Sequence, residues 1–177
     1  ADNGSPTGVF SGHEAAVNSI EFLDAGRLVS AAADKSIKTW DLTAHWTLAG
    51  QIGPPQDTPT AFENSPLSDR VLAIDFSPNG NFLITGGGEP SRSGELKLWK
   101  VADGSLKHEF VDAHSDTVFG VAFSDDSRYL ATASADKFVK VFDVNSGAEV
   151  RSYEGHTHHV LGVDWQYDGA IRDSRGP

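Results

Sequence analysis

Apolar and polar residues alternate along most of this chain in runs of about five residues, each closed by turn-forming residues. The stretch from Val118 to Tyr153 shows the pattern most plainly. Val118, Val121 and Phe123 form one run, closed by Ser124-Asp125-Asp126-Ser127; Tyr129 to Ala133 form a second, closed by Ala135-Asp136-Lys137. Val139, Val141 and Phe142 lie in a third, closed by Asn145-Ser146-Gly147, and Val150 to Tyr153 make a fourth. These runs are rich in β-branched and aromatic residues, so the spacing predicts four antiparallel strands joined by hairpins. No long segment carries a 3.6-residue period, and helices are expected to be few.

The same text occurs three times. VNSIEFLDAGRLVSAAADKSIKTWD (Val17 to Asp41) is matched by Val71 to Lys100 and by Val118 to Asp143, and a fourth copy begins at Val160 and breaks off at Gly169. Repetition at roughly 40 residues marks an architecture in which each unit buries its apolar face by stacking on a neighbour.

Motif positions recur in register. They comprise Gly12-His13 and Gly155-His156, the series Ser30, Asp34, Trp40-Asp41, and the series Thr132, Asp136, Phe142-Asp143. On these residues the chain resembles the WD40-repeat family, over nearly all of Val9 to Gly169. The resemblance implies an all-β fold: a partial β-propeller of four-stranded antiparallel blades, within a single domain spanning 1–177. Blade one is expected at about 14–52, a loop at 53–69, blade two at about 70–112 and blade three at about 115–154. The first strand of an incomplete blade is expected at 160–165 and an unpatterned tail at 170–177.

His13, Ser30 and Asp34 have the residue types of a catalytic triad, yet the set recurs as His114, Thr132 and Asp136. Chemistry needs one such set in a cleft beside an oxyanion site. Repetition with Ser exchanged for Thr fits a hydrogen-bond chain that braces each blade, and the resemblance implies that role for His13, Ser30, Asp34, Trp40, His114, Thr132, Asp136 and His156. No catalytic residue is assigned. Blade two carries Leu67 in place of the histidine and Gly86 to Gly94 in place of the tight turn. It is therefore expected to be held by packing alone and to be the least regular.

The insertions Gly53 to Asp69 and Gly86 to Gly94 should emerge on one rim, either as recognition loops or as excursions without a partner. One position, directly after a core valine, repeats as Asn18, Leu72, Phe119 and Leu161. The resemblance implies that it faces the rim used for partners. With His159 these residues form the candidate contact patch, the alternative being that Leu72 and Leu161 pack under neighbouring loops. His156-Thr157-His158-His159 invites a metal, but no cysteine is present, and adjacent residues on an extended strand face opposite ways. No metal and no cofactor are assigned.

Charge narrows the partner class. The net charge is −11, which argues against a phosphate backbone, whose sites need Lys and Arg; no nucleic acid is expected. No stretch approaches the ~20 apolar residues that span a bilayer, so no membrane contact is expected either. Absence of cysteine excludes disulfides and thiolate chemistry and selects no compartment. Methionine is absent even at position 1, so the chain is expected to start after a processing boundary.

Three blades cannot close a ring. Thr7 to Ser11 is expected as a stray outer strand, and the outer flanks of blades one and three should expose apolar surface that association would cover. A dimer of half-rings and a piece of a longer protein both account for this. The function expected is a non-catalytic scaffold that binds a protein or peptide and self-associates. The alternatives are a scaffold segment of a larger enzyme or redox assembly, and direct chemistry by the His-rich region.

Overall fold

The structure is a computed structural model that describes residues 9–24, 26–42, 48–53, 65–166 and 171–173. Among these residues every regular element is a strand, and twelve of the fourteen strands form three antiparallel four-stranded sheets. Blade one comprises β1 (Val17–Asp24), β2 (Arg27–Ala32), β3 (Ile37–Asp41) and β4 (Leu48–Ile52). Blade two comprises β5 (Val71–Phe76), β6 (Phe82–Gly87), β7 (Glu95–Lys100) and β8 (Leu106–Glu109). Blade three comprises β9 (Val118–Phe123), β10 (Tyr129–Ser134), β11 (Val139–Asp143) and β12 (Glu149–Tyr153). In each blade the strands pair in sequence order, as hairpin connections require.

The core lies between blades, not within them. Val29, Ala31 and Ile37 of blade one pack on Val71, Ile74, Leu83 and Trp99 of blade two, with Leu67 beneath them. Ile84, Leu96, Leu98 and Phe110 of blade two pack on Val118, Val121, Phe123, Leu130 and Phe142 of blade three. Ala133 and Val139 of blade three meet Val160, with Val163 alongside. Alternation within each strand thus sends one set of side chains to the blade before and the other to the blade after. Side chains also tie blade to blade, as where the Phe123 N–H donates to Asp75 Oδ2 at 2.7 Å.

Five sequence expectations need correction. The tail is not wholly unpatterned: Ile171–Asp173 forms β14 against β13 (Val163–Trp165), pairing Trp165 with Ile171 and Val163 with Asp173. Ladder bonds are made by backbone, so a polar sequence suffices to cover an open strand edge. The inner strand expected at 160–165 begins only at Val163, because Val160 is drawn back to blade three, its N–H donating to the Ser134 carbonyl. Val9–Ser11, expected in an outer strand, lie outside the named strands, with Phe10 packing on the Trp40 ring at 5.2 Å; Thr7 and Gly8 lie outside the described residues.

Blade two is not the least regular. Its central ladder runs unbroken, as in the other blades, and its β5–β6 ladder shifts register once, whereas the β1–β2 ladder of blade one shifts twice. Nor is packing its sole brace. Trp99 Nε1 donates to Thr85 Oγ1 at 3.0 Å, and the buried Lys97 meets Glu95 and Glu109 carboxylates at 3.3 and 3.4 Å. The tryptophan half of the bracing chain survives, and Leu67 fills the histidine's place with apolar volume.

Candidate interaction rim and its bracing networks

The turns into β1 and β9 each set a histidine over the sheet behind it. His13 Nδ1 lies 2.8 Å from Asp34 Oδ2 and its Nε2 lies 2.7 Å from Ser30 Oγ, which in turn accepts from Trp40 Nε1 at 2.7 Å. A carboxylate only accepts, so Nδ1 carries the proton and Nε2 accepts from the serine hydroxyl. His114 repeats the arrangement, 2.8 Å from Asp136 Oδ2 and 2.7 Å from Thr132 Oγ1. Phe142 supplies no indole donor there, and Phe110 stands edge-on to its ring at 5.1 Å instead. The sequence-predicted partners are therefore brought together in both blades. His156 is half-buried ahead of the short β13–β14 hairpin.

Burial opposes ionisation of Asp34, but hydrogen bonds from Ser36, His13 and the Glu14 N–H outweigh it and hold the carboxyl below its ordinary value. Burial likewise opposes ionisation of Asp136, and His114, by hydrogen bond and charge, overrides it with help from the Phe138 and Ser115 N–H groups. Both networks thus favour the ionised carboxylate. Ser30 and Thr132 are buried, and Ser30 Oγ is held from two sides.

The inner strands β1, β5, β9 and β13 are neighbours in that order, and Asn18, Leu72 and Phe119 take the second position of β1, β5 and β9, while Leu161 precedes β13. Close approach there requires glycine: a Cβ on Gly120 would come within 2.9 Å of the Gly162 Cα. Asn18 Nδ2 donates to the Val71 carbonyl at 2.9 Å, so this side chain ties β1 to β5. Leu72 and Phe119 are half-buried, and Leu161 is 65% exposed. Phe119 and the exposed His159 bring their rings to 6.3 Å.

The described ends of the two insertions adjoin. The Ser68 N–H donates to Glu95 Oε2 at 2.9 Å, and Lys35 Nζ reaches the Ser68 carbonyl at 3.2 Å. Ser91 N–H donates to Asp116 Oδ1 at 2.7 Å, which carries the second insertion toward the Phe119 side of the rim. Residues 54–64 of the first insertion lie outside the described residues. Among the described residues no group of three or more His, Cys, Asp or Glu is placed to hold a metal ion, and no helix is long and apolar enough to cross a membrane.

Two features were missed from sequence. Lysine recurs two positions before the Trp or Phe, as Lys38, Lys97 and Lys140, and each ammonium reaches an acceptor on the next strand out: Gln51 at 3.0 Å, Glu109 at 3.4 Å and Glu149 at 3.1 Å. The recurrence itself was the available signal. Asp75 on β5 is the second, its carboxyl pushed up to about 6 by burial, against the Phe123 N–H bond, with Glu21 and Asp164 adding like charge. Its position recurs as Glu21, Asp75 and Asp164, one residue before the inner-strand aromatic, and that recurrence was the available signal.

Comparison with known proteins then decides the family. The sequence signature described as "WD domain, G-beta repeat" matches residues 4–41, 60–100 and 104–143. The chain belongs to the WD40-repeat family. It is 30% identical over 132 residues to U3 small nucleolar RNA-associated protein 12 of Saccharomyces cerevisiae, covering 75% of this chain and 12% of that protein. It is 30% identical over 162 residues to the chromatin assembly factor 1 subunit FAS2 homolog of Oryza sativa, covering 84% of this chain and 30% of the relative. Among solved structures, the RRP9 WD40 repeats superpose with a TM-score of 0.74 at 26% identity, covering 87% of this chain and 43% of that one. This WD40 chain therefore spans less than half the length of these relatives.

Proposed function

We propose that this chain is a non-catalytic interaction scaffold that presents the rim bearing Leu72, Phe119, Leu161 and His159 to a protein or peptide partner, with Asn18 fixing the strands beneath. One observation supports it: Leu161 is 65% exposed two residues after His159, whose ring lies 6.3 Å from that of Phe119. Rigid apolar anchors in such a setting need little ordering on binding. The reading without turnover rests on burial. Each hydroxyl that faces a histidine is inside the sheet, where a substrate carbonyl has no approach. Relatives named as an RNA-associated protein and as a subunit of an assembly factor accord with a scaffold. The net charge of −11 favours protein over phosphate as the contacting surface.

The test places a photo-crosslinking phenylalanine at position 161 or, as control, at the exposed Val150 on β12. Position 161 should cross-link one defined protein, and Phe119→Ala should weaken that product without changing the fold. Equal cross-linking from both positions, or a product indifferent to Phe119→Ala, overturns the proposal. A second reading, self-association, is favoured by one specific observation: Val17, Ile20 and Phe22 of β1 are 50%, 59% and 64% exposed. Their counterparts in blade three, Val118, Val121 and Phe123, are covered by blade two. The open face of blade one is thus shaped to receive a blade-like surface, and a second copy of the chain supplies one.

A further inference from the structure

The space between blades one and two holds a cleft of about 400 Å³, on the side opposite the candidate rim, among the β1–β2 turn, β4 and the β7–β8 turn. Its origin follows from setting the two blades side by side. Aligned on Trp40 and Trp99, blade one carries Thr39 where blade two carries Leu98, and the strand partners of these residues are Gly50 and His108. In the same register Ile52 stands for Phe110. In the interface between blades two and three these larger residues fill the corresponding space. Phe110 sits edge-on to Phe142 at 5.1 Å, Lys107 Nζ donates to the Val144 carbonyl at 3.1 Å, and His108 Nε2 lies 3.0 Å from the Asn145 carbonyl. In blade one the space is left open: a Cβ built on Gly50 meets nothing within 4 Å. Val101 and Ala102, the counterparts of Val144 and Asn145, line the cleft.

We infer that this cleft is a second binding site, for a peptide segment carrying an aromatic side chain next to side-chain N–H donors. The chain itself specifies that chemistry, since Lys107-His108-Glu109-Phe110 is the segment that fills the equivalent space one blade further on. The aromatic ring enters over the wall formed by Ile37, Leu83 and Trp99, and the adjacent donors reach the carbonyls of Val101 and Ala102. A volume of this size is within the range of about 300–1,000 Å³ typical of ligand sites. The site is independent of the rim, because the two lie at opposite ends of the strands.

The probe is the blocked tetrapeptide acetyl-Lys-His-Glu-Phe-amide, titrated into the isotopically labelled full chain and followed by amide chemical shifts. Shifts confined to Gly50 and Val101–Gly104 are expected, with at least about tenfold weaker binding when the probe's Phe is replaced by Ala, a ratio equivalent to about 1.4 kcal/mol. The double variant Thr39→Leu/Gly50→His, which copies blade two into blade one, should abolish binding while keeping or raising the melting temperature. Absence of shifts at millimolar peptide, or shifts indifferent to the probe's Phe, overturns the inference. A lowered melting temperature in the double variant also overturns it, because the space would then be filled by another part of the chain.

Discussion

The two interfaces between adjacent blades are built from the same repeat and packed to different depths. Between blades two and three, Leu98, Phe110 and Phe82 continue the apolar contact out to the edge of the sheet, and Lys107 caps the Phe82 ring at 4.2 Å. Between blades one and two the inner half is equally dense, around Val29, Val71 and Trp99, but the outer half opens into the cleft. A repeat fold therefore fixes the inner contact, where β-strands approach closely, and leaves the outer contact to whichever residues β3 and β4 bring. The sharpest way to break this comparison is to truncate the matched pair. Leu98→Ala should cost about 2–5 kcal/mol, since the fully buried side chain leaves a cavity that rigid sheets cannot collapse. Thr39→Ala, lining a space already open, should cost under about 1 kcal/mol. Urea denaturation of both variants decides it; equal costs would mean that the outer interfaces are packed alike.

The bracing networks extend the contrast, since blades one and three have a histidine and blade two has none. His114→Ala should cost about 1–3 kcal/mol, because it leaves Asp136 and Thr132 buried without their partner. The pH dependence has a definite sign. Asp136 has a lowered carboxyl in the folded state, so its contribution is present above the ordinary value of 3.8 and is lost as pH falls through the lower folded value. Asp136→Asn should thus be less stable than the parent at pH 7 and converge on it in acid. Thermal melts across that range would show it; a constant difference down to pH 2 would assign Asp136 a role that does not depend on its charge.

Which parts were legible in the sequence follows from the same physics. The blades were, because alternation and turn residues are local and repeated three times, and a His–Ser/Thr–Asp series recurs in two of the copies. The hydrogen-bonded pairs across 21 and 22 residues were also legible, since the repeat aligned them. What escaped depended on neighbours. Trp99 keeping its bond to Thr85 without a histidine is a compensation between strands, visible only once β6 and β7 are paired. The β14 pairing escaped because a backbone ladder leaves no mark in polar side chains. The cleft escaped because an absence of volume, at Thr39 and Gly50, carries no motif.

Asp75 supplies a smaller and opposite effect. Its folded carboxyl is raised from 3.8 to about 6, so folding takes up a proton between those values. Any stability this group provides is fully present below about pH 4 and is lost as pH rises through 6, leaving a buried charge above that. Asp75→Asn keeps an oxygen to accept the Phe123 N–H bond and removes the charge. The rise from 3.8 to about 6 bounds the gain at roughly 3 kcal/mol, and partial solvent access brings the expected value to about 1–2 kcal/mol at pH 7.5. The advantage should vanish by pH 4. A variant no more stable than the parent at pH 7.5 would show that Asp75 ionises without penalty at the inner strands.

The smallest effect on stability, and the most informative on assembly, is expected at the open face of blade one. Phe22 is exposed, whereas its counterpart Phe123 is packed against blade two. Replacing an exposed ring changes little within one chain, so Phe22→Lys should shift unfolding by no more than about 0.5 kcal/mol. The same lysine placed in a face-to-face contact would be buried without a partner, which is strongly unfavourable. Sedimentation equilibrium should therefore find the parent associating in a concentration-dependent manner and the variant displaced toward monomer, with unchanged unfolding curves. A parent monomeric throughout the micromolar range would remove self-association and leave the apolar strand of blade one to a different blade-like surface. Association that survives Phe22→Lys would move the contact to another face, the exposed outer strand β12 of blade three being the next to test by Val150→Lys.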